Sequence, residues 1–145
     1  MSTQWILVAD ASRAVLLGAN GRVDRATQVD AFSNAEALED VNAGQDDRLG
    51  QKGHGSGARA AMQPRHTPKE LASDGFARRL VEVLERGRVE NLFARLTRVA
   101  PAAFLGQLRQ HMPTPLQRTV EHELSKDLVR EPLPELTEHL ARLLA

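Results

Sequence analysis

Residues 5–21 read WILVADASRAVLLGANG, and two strands can be drawn from them before the rest of the chain is considered. Trp5 to Ala9 is a continuous apolar run that stops at Asp10, the pattern of a central strand buried on both faces. Ala11-Ser12 makes a short turn and Arg13 to Ala19 supplies a second strand. Asn20-Gly21 is the strongest short hairpin signal in the sequence, because both residue types tolerate positive φ. Residues 22–32, RVDRATQVDAF, alternate enough for a third strand. The first third of the chain is therefore expected to be an antiparallel meander.

Regularity returns at Thr67-Pro68, where Thr67 suits an N-cap and Pro68 the first helical position, with Glu70 and Asp74 toward the positive end of the helix. Ala72, Phe76, Leu80, Val83 and Leu84 recur at helical spacing. Arg78, Arg79, Glu82, Glu85 and Arg86 mark the wet face, and Gly87 is read as the terminator. RLTRVA (95–100) reads as a strand and PAAFLGQLRQHM (101–112) as a helix with Phe104, Leu105, Leu108 and Met112 inward. RTVEHEL (118–124) alternates as a strand, and LPELTEHLARLLA (133–145) places Leu133, Leu136, Leu140, Leu143 and Leu144 on one helix face. The order β-β-β-long loop-α-β-α-β-α predicts an α/β sandwich on a mixed sheet, one domain over residues 1–145.

That size and a hydrophobic content of 41% allow a sizeable core. The chain has no Cys, which excludes a disulfide scaffold, thiol catalysis and Cys-ligated zinc, and agrees with a reducing compartment. No basic region precedes the first apolar run and no run reaches about 18 apolar residues, so a cytoplasmic protein without membrane insertion is expected. With one Trp, four Phe and no Tyr, aromatic stacking is not expected to dominate any contact to bases.

Periodicity is lost from Glu39 to Pro68, and a flexible, basic, glycine-rich loop is expected at about residues 40–67. Five of the ten glycines fall between Gly44 and Gly57, and residues 48–69 hold three Arg, two Lys and two His with no Asp or Glu. The formal net charge of the whole chain is zero, so the rest of it carries a net charge of minus five. A local cationic excess of this kind favours polyanions. A binding loop, a reactive loop and slack solvated chain are the three readings open to it.

WILVADASRAVLL, the basic segment ending MQPRHTPKE, VAPAAFLGQLR and VEHELSKDL, in that order, resemble the bacterial host attachment protein family over nearly the whole chain. That resemblance implies a further likeness, to the bacterial relatives of archaeal and eukaryotic peptide-chain release factors and to their middle domain. The family label implies a part in attachment to host cells, and the release-factor likeness implies a partner in the translation machinery. Release factors carry a basic loop ending in Gly-Gly-Gln in the corresponding place. Here Lys52, His54, Gly55 and Gly57 match that character, but Ser56-Gly57-Ala58-Arg59 stands where Gly-Gly-Gln is expected, and Gln51 and Gln63 lie in other contexts. The glutamine that would help to place an attacking water is missing. Phosphate contact survives its loss, because glycines admit close backbone approach and Arg and Lys supply charge.

Other chemistries fit less well. His54 and His66 are twelve residues apart with no acid between them, too sparse for a metal site. His122 should face away from Glu121 and Glu123 on a strand, so these three read as structural. Asp10-Ala11-Ser12 reads as a turn. GHGSG around Ser56 fits the nucleophile-elbow pattern but lacks the flanking strand and helix. The leading expectation is a non-enzymatic module that contacts RNA or the ribosome through Arg48, Lys52, His54, Gly55, Gly57, Arg59, Arg65, His66 and Lys69, with no cofactor, metal or catalytic group. A protein-partner module acting indirectly in attachment to host cells is the alternative, and a peptidyl or aminoacyl ester hydrolase the third. Oligomeric state is not legible in the residues.

Overall fold

All six residues of the first strand, β1 (Gln4–Ala9), are buried, and the fold is built outward from it. The computed structural model describes residues 2–35 and 67–145. β2 (Arg13–Ala19) pairs antiparallel with β1, and β3 (Thr27–Ser33) pairs antiparallel with β2. After helix α1 (Pro68–Val89), β4 (Arg95–Ala100) returns parallel to β1 on its other edge. Helix α2 (Ala102–His111) and a short helix α3 (Thr114–Gln117) then lead to β5 (Val120–Ser125), parallel to β4, and helix α4 (Leu133–Leu143) ends the fold. The sheet order is β3-β2-β1-β4-β5.

Alternation along β1 divides the core in two. Trp5, Leu7 and Ala9 face one layer, where Phe76, Leu80 and Leu84 of α1, Phe104 and Leu108 of α2 and Leu116 of α3 cover them. Ile6 and Val8 face the other, closed by Leu136 and Leu140 of α4 and by Leu128 and Val129 before it. The expected mixed α/β sandwich is thus a three-layer arrangement with helices on both sides of the sheet.

Four local expectations are corrected. Gly87 does not end α1: it lies inside the helix, where an added Cβ would overlap the Trp5 ring and sit 3.3 Å from Phe93 Cε1. The helix ends instead at Val89, and Asn91 just beyond it takes a left-handed φ of 59°. Leu92 N–H donates to Gly87 O at 2.9 Å and Asn91 N–H to Arg88 O at 3.0 Å, the paired bonds of a Schellman cap. Asn20-Gly21 does not make a two-residue hairpin. Gly21 does take a φ of 103°, but a 3-10 turn at Val23–Arg25 lengthens the connection, and Gly18 pairs with Thr27. The fifth strand begins at Val120 and not at Arg118, because Thr114–Gln117 forms the extra helix and Thr119 closes it by donating to Leu116 O. Leu133 stays 37% exposed at the start of α4 while Leu136 and Leu140 are buried.

The sheet carries one charge inward. Among the described residues Arg98, in the middle of β4, is the only buried charged side chain. Its Nη2 meets Glu123 Oε2 of β5 at 2.5 Å, Nη1 donates to Met112 Sδ at 2.8 Å, and Nε has no hydrogen-bond partner among the described residues. Arg109 of α2 grips the same Glu123 through Nε and Nη2, both at 3.2 Å. Burial draws the Arg98 guanidinium below its ordinary range and Glu123 draws it back, while Arg109 adds to the depression. The cluster joins α2, β4 and the edge strand β5.

Removing the carboxylate alone leaves a buried cation without its partner, so Glu123→Ala should lower stability by about 3 kcal/mol in urea unfolding. The paired change Arg98→Met with Glu123→Leu should cost distinctly less. Gly87→Ala should destabilise by about 1–3 kcal/mol through overpacking against Trp5. Gly75→Ala, at a helical position with open space around it, should instead stabilise by up to about 1 kcal/mol.

Candidate functional site

β1 and β3 are both antiparallel to β2, so they run the same way as β4, and all three finish at one edge of the sheet. α1 and α2 start at that edge. Ligand sites of open α/β sheets lie in such a crevice, outside the carboxyl ends of the strands. Here a cleft of about 630 Å³ opens, lined by the turn after β1, the first turns of α1 and α2, and the polar side chains Ser73, Gln107 and Gln110.

The turn after β1 is fixed by its own sequence. Asp10 Oδ1 accepts from Ser12 N–H at 2.8 Å and from Arg13 N–H at 2.9 Å, and Asp10 N–H donates to Arg13 O at 2.9 Å. Asp10 and Ser12 are thus turn formers, as expected from their order in the chain. Across the edge, Asn34 is buried and Nδ2 donates to Ala11 O at 3.0 Å and to Ala72 O at 3.1 Å, while its N–H donates to Ser12 O at 2.8 Å. One amide side chain therefore joins the end of β3 to the first turn and to α1.

The start of α1 is equally well held. Thr67 Oγ1 accepts from Glu70 N–H at 3.1 Å and Glu70 Oε1 accepts from Thr67 N–H at 2.8 Å, a reciprocal capping box with Pro68 at the first helical position. Ser73 Oγ lies 3.0 Å from both Glu70 O and Gln107 Oε1, which ties α1 to α2. Asp74 Oδ1 lies 2.9 Å from His111 Nε2 and makes a second tie between the same helices. α2 begins at Pro101, which offers no side-chain acceptor to its first amides. Ser73 and Asp10 are thus engaged in holding the edge together.

Of the nine residues expected to contact nucleic acid, Lys69 is described: it is exposed in the first turn of α1 and lines the cleft. Arg48, Lys52, His54, Gly55, Gly57, Arg59, Arg65 and His66 lie outside the described residues, as do Ser56, Gln51 and Gln63. Asn34 and Thr67 stand on either side of that interval, and both sit at the carboxyl edge. In β5, Glu121 pairs with Arg95 at 3.2 Å and also approaches His122 Nε2 at 3.5 Å, while Glu123 serves Arg98 and Arg109. Alternation alone would have set Glu121 and His122 apart, but long side chains on an exposed strand edge can bend toward each other.

Sequence reasoning passed over Asn34, Gln107 and the Asp74–His111 pair. The only signal for Asn34 was its place directly after a strand, and nothing in the spacing connects Asp74 to a histidine 37 positions later. Among the described residues no helix is long and apolar enough to cross a membrane. No curated protein sequence matches the chain. A family model described as "Protein required for attachment to host cells" matches residues 5–140, from the second residue of β1 to Leu140 in α4. The chain belongs to that host attachment family.

Proposed function

We propose that this family member is a binding module that contacts RNA, with ribosomal or transfer RNA as the target class, through the basic glycine-rich segment at residues 48–69. The observation that carries the reading is where the segment is tied. The interval that holds most of it is bounded in the chain by Ala35, next to Asn34 with its bonds to two other elements, and by the Thr67 capping box. Residues 48–69 hold five cations and no acids, with Lys69 in the first turn of α1, and residues 36–47 directly before them hold five acids and no cation. Loops mounted on rigid scaffolds are where binding residues concentrate.

The distribution of charge favours the segment over the cleft as the contact. The cleft is lined by Asp10, Glu70 and Asp74 against Lys69 alone, an environment that repels phosphate. Arg48, Lys52, Arg59 and Arg65 then supply the attraction, and the glycines let backbone amides reach the phosphate oxygens. Binding of this kind positions a partner on its backbone and carries little sequence preference.

Binding to labelled transfer RNA or ribosomal RNA fragments, followed by fluorescence anisotropy, should weaken with salt by about 0.7–0.9 log units per log unit for each phosphate contacted. The triple variant Lys52→Ala, Arg59→Ala, Arg65→Ala should flatten that slope by about two to three units. Undiminished affinity in the triple variant would remove the proposal. Thr67→Ala takes away the cap and no charge: it should cost about 1 kcal/mol of thermal stability and leave the salt slope as it was.

A further inference from the structure

Among the described residues α1 leaves the β2–β3 part of its sheet face uncovered, and a groove of about 580 Å³ runs between the helix and the edge strand. Its floor is apolar, formed by Leu16, Phe32, Phe76 and Leu80, and Val29 beside it is 47% exposed. Among the described residues β3 pairs with β2 alone, and its other edge has no strand beside it. Edge strands are ordinarily guarded by lysine, proline or short length. This one is seven residues long, TQVDAFS, with Asp30 its single charge.

The helical rim of the groove identifies what covers it. Arg79, Glu82, Arg86 and Glu90 all line the groove and are all exposed, and none of them makes an ion pair among the described residues. Glu82 and Arg86, one helical turn apart, do not pair with each other. Arg79 is instead held over the Phe76 ring, 5.2 Å from its centroid, at the lip of the groove. In order along the helix the signs alternate plus, minus, plus, minus. Such a row is complementary to itself when reversed: set antiparallel to a copy, Arg79 meets Glu90 and Glu82 meets Arg86, and the reciprocal contacts follow by symmetry.

We propose that this face is a homodimer interface, in which two copies pack about a two-fold axis with their α1 helices antiparallel and the grooves closed over each other. The interface is isologous, so one patch serves both sides and the assembly stops at two. Apolar burial of Phe32 and Val29 supplies the attraction, and the four charges fix register and direction.

Sedimentation equilibrium of the full chain tests it. The wild-type protein should be a reversible dimer. Arg86→Glu places like charges at two symmetry-related contacts and should weaken the dimer about tenfold or more. Glu82→Arg combined with Arg86→Glu re-creates both contacts with the signs exchanged, and should return the dissociation constant to within about threefold of wild type. Circular dichroism should be the same for all three proteins, since these side chains are exposed. A wild-type protein that is monomeric throughout the concentration range, a dimer indifferent to Arg86→Glu, or a double variant no better than the single one would each overturn the proposal.

Discussion

The burial of β1 on both faces and along both edges is the constraint from which the rest of the molecule follows. A strand with no solvent-facing side must be apolar at every position that packs, and Trp5 to Ala9 is. Its two faces require two covering layers, which is why helices are found on both sides of the sheet. Its two edges require partners, and the partners are unlike: a hairpin neighbour in β2 and a crossover neighbour in β4. A parallel neighbour needs a long connection, and α1 provides it. Gly87 is set by the same strand, since a helix that must lie against Trp5 can carry no side chain where the ring presses.

The unlike neighbours of β1 also determine where anything can be displayed. Because β2 runs against β1 and β3 against β2, the ends of β1, β3 and β4 are brought together, along with the beginnings of α1 and α2. Two sets of the hydrogen bonds there are local in sequence, and a third spans 23 and 38 positions. Asp10 closes one turn, Thr67 and Glu70 close another, and Asn34 bridges them. The chain that enters and leaves this edge does so through residues whose positions are already determined.

What the sequence disclosed and what it withheld divide along physical lines. Runs and periods were legible: Trp5 to Ala9, the Ala72-Phe76-Leu80 spacing and Phe104-Leu105-Leu108 each specify an element and its inward face. So was the start of α1, because a cap is a matter of adjacent residues. Gly87 was misread because a glycine that ends a helix and one that admits a neighbouring ring look alike until the neighbour is known. Arg98 could have been noticed, since it shares the parity of Leu96 and Ala100, but only contact with Glu123 and Met112 explains how a buried guanidinium is tolerated. Asn34, Gln107 and His111 act across long sequence distances, and no local pattern encodes that. The release-factor likeness added an expectation about the basic segment that the family match neither supplies nor needs.

Charge is used here in three distinct ways, and keeping them apart explains how a neutral chain can be so unevenly charged. Inside, Arg98 is matched to Glu123 and serves cohesion. On the helix surface, Arg79, Glu82, Arg86 and Glu90 alternate, so their field cancels within a few ångströms and can discriminate only at contact. In residues 48–69 a single sign accumulates, and its field reaches farther, within the limit set by screening. The remainder of the chain carries the compensating net charge of minus five. Residues 36–47 account for all of it, with five acids and no cation, and outside residues 36–69 the two signs balance. Overall neutrality therefore hides a separation of sign along the chain, an acidic block followed directly by a basic one.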